Sequence, residues 1–211
     1  MRRRGFLATA TAAVAAGPAL GQPGLASGLA PDAAAGVVRV QLVTGMGAIV
    51  LELRGDKAPI TAGNFLKYVD QKRLDGAAFY RAAHYEGRPS DGLVQGGLSG
   101  SHPERALPPI AHESTTLTGL RHTDGVISMA RYAPGSAAAE LFICVGANAQ
   151  LDADPAAPGD NLGFAAFGRV VQGMDVVGRI WTAPTSPTKG EGAFRGQMLE
   201  PPIPIVSAAR L

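Results

Sequence analysis

The chain has 211 residues, a length that suits a single domain with short appendages. Hydrophobic residues make up 46% of it and aromatic residues 6%, and the 28 glycines and 16 prolines favour a compact, turn-rich β fold over a disordered chain. The net charge of +2 depends on Arg2, Arg3 and Arg4. Without them the 19 basic residues become 16, against 17 acidic residues, a balance that argues against a nucleic-acid-binding protein.

The first 21 residues have the pattern of a signal peptide: three arginines, an uncharged stretch rich in Ala, Thr and Val, and small residues at its end. The segment RRGFL at 3–7 resembles the twin-arginine export pattern. Gly17 and Pro18 interrupt the apolar run, which is too short for the ~20 residues of a membrane span, so we expect no stable membrane anchor. We therefore predict export to the periplasm, with residues 22–36 as a flexible lead-in rich in Gly, Ala and Pro.

The first structured element predicted is a hairpin, because Val38, Val40 and Leu42 alternate with polar residues and residues 48–53 return after a turn at 44–47. Apolar residues at helical spacing predict helices at 59–69, with Pro59 in the first turn, and at 174–181. Further short strands separated by turn residues are predicted at 79–81, 93–95, 126–130, 141–145, 165–171 and 203–208. Many short strands with two helices indicate a mainly β protein, built as a closed barrel with capped ends.

Other residue types give no sign of a second chemistry. Cys144 is the only cysteine, so no intramolecular disulfide can form, and its apolar strand is typical of an inert thiol. Ser128 lacks the Gly-x-Ser-x-Gly setting of a serine hydrolase. The four histidines have no zinc-site spacing, and we interpret them as surface or loop residues; no metal and no cofactor is expected. The histidines are His84, His102, His112 and His122.

Four stretches, in order along the chain, are similar to motifs of the cyclophilin family and together span about residues 37–210. They are TAGNFLKYV at 61–69; FYR at 79–81 with VQGG at 94–97; GVISMAR at 125–131 with ELFI at 140–143; and FGRVVQGMDVV at 167–177. The resemblance implies a cyclophilin-like domain at 37–211, with a closed eight-stranded antiparallel β-barrel capped by two α-helices. The implied activity is cis/trans isomerisation of X-Pro peptide bonds, without a cofactor. We expect the protein to act on proline-containing polypeptides, namely exported proteins during their folding. We also expect it to be a monomer.

This reaction makes and breaks no covalent bond. The catalyst must bind the twisted amide better than either planar isomer, against an uncatalysed barrier of ~18–20 kcal/mol. A fixed cationic donor helps, since twisting localises a lone pair on the prolyl nitrogen. The resemblance gives that role to Arg81, whose guanidinium stays charged and has directional donors, and it makes Gln95 the residue that orients Arg81 and contacts substrate.

An apolar pocket must also hold the proline ring. Strand alternation places Glu140, Phe142 and Cys144 on one face of their strand, and the resemblance makes Phe142 the main pocket residue. Core packing is the alternative role for the two least secure pocket positions, Leu151 and Phe164. Together with Phe142, the expected substrate-binding residues are Leu93, Ala130, Glu140, Leu151 and Phe164.

The sequence departs from the family pattern in two places. Arg81 and Gln95 are fourteen positions apart rather than eight, which predicts a rebuilt loop; Gly92 takes the place of an aromatic wall residue, so a shallower pocket is expected unless Tyr85 folds back to fill it. Glu140 stands where glutamine is usual, and we expect it either to pair with Arg81 or to favour basic substrates. These departures support an alternative function, a non-catalytic chaperone or scaffold module that binds proline-containing segments. A small-molecule-binding barrel is disfavoured by the motif order.

Overall fold

The computed structural model describes residues 36–211; the predicted signal peptide and the lead-in up to residue 35 lie outside the described residues. Both predicted helices are present, and there is a third α-helix that is one turn long. The helices are α1 (Pro59–Asp70), α2 (Thr115–Thr118) and α3 (Met174–Trp181). The strands are β1 (Val37–Thr44), β2 (Gly47–Arg54), β3 (Ala78–Tyr85), β4 (Arg88–Gly97), β5 (Val126–Met129), β6 (Leu141–Val145), β7 (Ala165–Gln172), β8 (Thr185–Ser186) and β9 (Met198–Arg210).

Eight of these strands close an antiparallel barrel in the order β1-β2-β7-β5-β6-β4-β3-β9. Closure depends on β9, which pairs with β3 along its first part and with β1 along its second. The two-residue β8 adds to β9. The predicted closed, mainly β barrel is thus confirmed, and each predicted strand falls within or overlaps an observed one.

The barrel interior is filled by side chains, as expected when eight strands close on themselves. Ala82, Val94 and Ile143 lie side by side on β3, β4 and β6, and all three are fully buried. Phe65 of α1 packs on Phe167 of β7, with ring centroids 5.5 Å apart. Because the interior is occupied, any binding surface must lie outside the barrel.

The two longer helices complete this core with their apolar faces. Residues of α1 and of α3 belong to the same buried cluster as the strands. None of the helices within residues 36–211 is long and apolar enough to cross a membrane. The start of α1 is capped from far along the chain: the buried Glu113 carboxylate accepts hydrogen bonds from the Ile60 and Thr61 amides at 3.2 and 2.7 Å. A negative group at a helix N-terminus satisfies amides that have no partner inside the helix.

The interval between Arg81 and Gln95 is a β-hairpin and not the rebuilt loop that the sequence suggested. Strands β3 and β4 continue past these residues and turn only at residues 86–87. Trp181, the last residue of α3, holds the added part: its Nε1 donates to the Ala83 carbonyl at 2.8 Å, and its ring stacks on His84 at 4.2 Å. The additional residues therefore lengthen two strands that were already paired.

The sequence placed Gly92 at a wall of the proline pocket, but in the structure this position is turned away from the outer face of the barrel. Its neighbour Leu93 faces the outer side of the barrel, so a side chain at position 92 would point the opposite way. A Cβ there would lie 2.7 Å from Trp181 Nε1 and would overlap the Ala83 carbonyl oxygen. Glycine is needed at position 92 because the Ala83 carbonyl and the Trp181 side chain together occupy the space.

Substitution Gly92→Ala is expected to lower the free energy of unfolding by about 1–3 kcal/mol, the usual cost of overpacking, because Trp181 or the hairpin must move. Urea unfolding monitored by tryptophan fluorescence measures this. The matched control is Gly178→Ala on α3, where a methyl group meets open space and we expect stabilisation by roughly 0.5–1 kcal/mol. Equal stability of Gly92→Ala and wild type would contradict the assignment.

Candidate active site

The two predicted catalytic residues and the main pocket residue lie in one row on the outer face of the barrel. Arg81 pairs with Gln95 across β3 and β4, and Gln95 pairs with Phe142 across β4 and β6. Neighbouring strands are about 4.8 Å apart, so the three side chains stand next to one another. Residues fourteen and sixty-one positions from Arg81 are thus brought together by strand register.

The Arg81 guanidinium is held by two glutamines. Its Nη1 donates to Gln95 Oε1 at 2.8 Å, as the sequence predicted for this pair. Its Nε and Nη2 both donate to Gln197 Oε1, at 2.9 and 2.7 Å, and the ring of Phe194 lies 4.2 Å from its Cζ. Burial lowers the pKa of Arg81, but a guanidinium remains charged at neutral pH. Sequence reasoning missed Gln197 and Phe194, which no motif marks.

Glu140 does not pair with Arg81, and this expectation is corrected. One carboxylate oxygen accepts the Tyr80 hydroxyl at 2.6 Å, and the other accepts the amides of Leu98 and Ser99 at 3.0 and 2.9 Å. Tyr80 in turn accepts a bond from Gln95 Nε2 at 2.9 Å. Glu140 therefore acts on the guanidinium only through Tyr80 and Gln95. Tyr80 lies inside the FYR motif, yet nothing in the sequence indicated its role.

The requirement for glycine at position 97, two residues after Gln95, has a local cause. Gly97 has φ +148°, and a Cβ there would lie 2.6 Å from Glu140 Oε2. Any larger residue would displace the carboxylate that orients Tyr80. Gly97 thus leaves space for Glu140 and the hydrogen bonds it makes, whereas a Cβ at Gly96 would meet the Ala78 carbonyl oxygen and Phe79.

The predicted pocket residues form one apolar cluster on the outer face, separate from the barrel interior. The cluster centres on Phe142, which is 3% exposed, and Phe164 meets its ring edge-on at 5.5 Å. The other members are Ala83, Leu93, Val126, Ala130, Cys144 and Leu151. The strand alternation predicted around Phe142 is confirmed, and the structure brings Leu93, Ala130, Leu151 and Phe164 together with it. Their contact with substrate stays a prediction.

Tyr85 is the aromatic residue available at the hairpin end of this cluster. It stands on the same side of β3 as Arg81 and Ala83, and burial raises its pKa. Gln150 hydrogen-bonds its hydroxyl, and the Arg88 guanidinium lies 4.8 Å from its ring centroid. This placement agrees with the expectation that Tyr85 folds back to the proline pocket.

His122 lies in the loop before β5, but it is buried beneath Phe142 and is not a surface residue. Its Nδ1 lies 2.7 Å from Asp152 Oδ1 and its Nε2 lies 2.9 Å from Ser128 Oγ. The carboxylate can only accept, so the Nδ1–H donates to it and Nε2 accepts the serine hydroxyl. These are the contacts of a hydrolase triad, but Ser128 is fully buried and no substrate carbonyl can reach it. The network instead supports Phe142, whose ring stacks 5.9 Å from the imidazole.

Burial lowers the pKa of His122 despite its contact with Asp152, so the folded protein holds a neutral imidazole. The unfolded chain binds this proton near pH 6.5. The contribution of His122 to stability is therefore complete above that pH and is lost as the pH falls below it. We expect the free energy of unfolding to decrease by up to about 1.4 kcal/mol per pH unit in that window, and the slope to flatten in His122→Gln. Urea unfolding between pH 7.5 and 5 measures this pH dependence. Equal slopes in wild type and His122→Gln would contradict the conclusion that His122 is held neutral in the folded protein.

Cys144 and possible metal-binding clusters are the remaining candidates for other chemistry. Burial raises the pKa of the Cys144 thiol to about 12, which is consistent with the expected inert strand cysteine. Within residues 36–211, no group of three or more His, Cys, Asp or Glu side chains could hold a metal ion.

Comparisons with known proteins agree with this geometry. Residues 39–209 match the family described as "Cyclophilin type peptidyl-prolyl cis-trans isomerase/CLD". The chain is 38% identical over 149 residues to a peptidyl-prolyl cis-trans isomerase of Acinetobacter baylyi, covering 70% of this chain and 73% of that protein. It is 39% identical over 170 residues to one of Streptomyces antibioticus, covering 79% and 93%.

The fold is also similar to solved structures. A cyclophilin-type isomerase of Cryptosporidium parvum superposes with a TM-score of 0.64 at 17% identity, covering 83% of this chain and 98% of that one. The same protein in the presence of the dipeptide Ala-Pro gives 0.63 at 17% identity, covering 81% and 97%. With a family match over most of its length, this chain belongs to the cyclophilin-type peptidyl-prolyl cis-trans isomerases.

Proposed function

We propose that this isomerase acts on X-Pro bonds of exported proteins as they fold, and that Arg81 is its catalytic residue. The observation that carries the second part is the row formed by Arg81, Gln95 and Phe142, which sets a fixed cation beside an apolar pocket. A proline ring held on Phe142 brings the preceding peptide bond close to the guanidinium. The structure of the Cryptosporidium parvum isomerase determined in the presence of the dipeptide Ala-Pro supports the proposal of a proline-containing ligand.

The chemistry follows from charge and geometry. As the amide twists, it loses resonance and the prolyl nitrogen gains a lone pair. An N–H of Arg81 directed at that lone pair stabilises the twisted form more than either planar isomer, and this difference lowers the barrier. Gln95 fixes the direction of the guanidinium and remains close enough to contact the substrate chain. No proton is transferred and no covalent intermediate forms.

The alternative, a non-catalytic module that binds proline-containing segments, uses the same surface. Three features of the sequence supported it: the longer interval between Arg81 and Gln95, the glycine at position 92, and Glu140. The interval is a paired hairpin, Gly92 faces away from the pocket, and Glu140 contacts Tyr80. None of these features removes a part that the isomerase needs.

NMR exchange spectroscopy of a short X-Pro peptide, with and without the protein, tests the activity. We expect accelerated cis/trans exchange at catalytic protein concentration. Binding of the peptide without acceleration would favour the non-catalytic module. If the peptide were neither bound nor its exchange accelerated, both functions would be contradicted.

Export is a separate proposal and needs its own experiment. It is supported by the basic, then apolar, then small-residue pattern of residues 1–21, with Arg3 and Arg4 in a twin-arginine-like setting. Replacing both arginines with lysine is expected to leave unprocessed precursor in the cytoplasm. Unchanged processing in this variant would contradict the twin-arginine route. We also propose that the protein is a monomer, which sedimentation at several concentrations tests.

A further inference from the structure

The segment between β8 and β9, residues 189–197, covers the Arg81 guanidinium from two directions. Gln197 Oε1 lies against one edge, where it accepts from both Nε and Nη2. Phe194 lies against one face, at 4.2 Å from Cζ, within the range of a cation–π contact. An arginine side chain is long and flexible when it has no partners. Here Gln197 contacts one edge of the Arg81 guanidinium and Phe194 contacts one face, so its movement is restricted.

The segment is held by backbone hydrogen bonds within itself and to β3. The Gly196 amide donates to the Lys189 carbonyl at 3.1 Å, and the Gln197 amide donates to the Phe194 carbonyl at 3.1 Å. The Ala82 amide donates to the Gln197 carbonyl at 2.9 Å, which fixes this backbone to β3 at the residue that follows Arg81. These bonds hold the backbone that carries Phe194 and Gln197 beside Arg81.

These contacts leave a defined part of the guanidinium for substrate. A guanidinium has five N–H donors. Gln197 takes two and Gln95 takes one. The two that remain, one on Nη1 and one on Nη2, have no protein acceptor within residues 36–211. The amide nitrogen that must be stabilised can be approached only by these.

We propose that Gln197 and Phe194 are positioning residues of the isomerase, which hold Arg81 so that its two free N–H groups face the prolyl bond. The inference rests on the proposed catalytic role of Arg81. Loss of either contact lets the guanidinium rotate away, so kcat falls, while the proline pocket around Phe142 and hence KM change little. Phe194 also shields one face of the cation from water, which strengthens its effect on the twisted amide.

Single substitutions give the first test, with kcat and KM for X-Pro exchange as the readout. We expect Gln197→Ala to lower kcat about tenfold, because the guanidinium loses the shared acceptor of two hydrogen bonds and is still held by Gln95. Phe194→Leu should lower kcat about threefold, and Phe194→Tyr, which keeps the ring, should restore the wild-type value. Arg195→Ala is the matched control, because Arg195 is an exposed neighbour in the same segment. It should keep the wild-type rate.

Repeating Gln197→Ala and Phe194→Leu in an Arg81→Ala background separates positioning from general structural damage. Residues that act through Arg81 should have no further effect on the residual rate of that variant. The Nε–H resonance of Arg81, shifted in wild type by the Phe194 ring current, should move in Phe194→Leu and stay in Phe194→Tyr.

The outcomes distinguish this inference from the proposed function. If Arg81→Ala exchanges at the wild-type rate, the catalytic role of Arg81 fails and the positioning role fails with it. If Arg81→Ala is slow but the segment variants match wild type, or lose the same factor in both backgrounds, only the positioning inference is overturned.

Discussion

Replacing Arg81 with alanine is expected to reduce kcat/KM for X-Pro exchange by roughly 10²–10³, the usual cost of removing one preorganised electrostatic contact. The side chain is the only cation in the row with Gln95 and Phe142, and two of its N–H groups are free for the substrate. Stability should change little, because the side chain is only partly buried and its partners can bond to water. Exchange spectroscopy gives the rate, and urea unfolding gives the stability.

Arg81→Lys should be nearly as slow as Arg81→Ala, because an ammonium group cannot reproduce a planar fork that two glutamines hold at once. Arg39→Ala is the matched control: this arginine pairs with Glu52 at the surface, and its side chain is 60% exposed. It should exchange at the wild-type rate. An active Arg81→Ala variant would show that the catalytic group lies elsewhere.

Phe142→Ala is expected to have two effects. Deleting a ring that is 3% exposed should lower the free energy of unfolding by about 3–5 kcal/mol, since His122 and Phe164 would border a cavity. It should also raise KM. Each methylene of a proline ring gains about 0.8 kcal/mol on burial, so partial loss of its contact surface corresponds to a rise of roughly tenfold.

Phe167→Ala separates these two effects, because Phe167 is fully buried inside the barrel and away from the outer cluster. We expect it to lose similar stability while KM at low temperature, where both variants are folded, stays at the wild-type value. A wild-type KM for folded Phe142→Ala would exclude this pocket as the proline site.

The parts of the fold that depend on local pattern could be predicted from the sequence. Alternation in a single strand is enough to separate Phe142 and Cys144 from Ile143, and the structure places them in the outer and inner clusters as expected. The two longer helices were also predictable, since Pro59 and the spacing of apolar residues are local signals. The pairing of Arg81 with Gln95 followed from the family motifs.

What could not be predicted depends on contacts between distant segments. Gln197 lies 116 positions from Arg81, and its role is decided by the path of β9, which no local pattern specifies. The burial of His122 in its loop could not be predicted, because its partner Asp152 is 30 positions away. The interval from Arg81 to Gln95 was misjudged because Trp181, which stabilises the longer hairpin, belongs to a helix near the other end of the chain.

The filled barrel interior has a consequence for the kind of client that this protein can accept. With the interior occupied by side chains such as Ile143 and Phe167, the apolar cluster around Phe142 lies on the convex outer surface of the sheet. A chain can be laid across such a surface from the side, so neither of its ends has to pass through an opening. If the proline binds at this cluster as proposed, we expect prolines in the middle of long, partly folded polypeptides to be accepted. Access should then depend on the exposure of a few residues around each proline and not on the length of the chain.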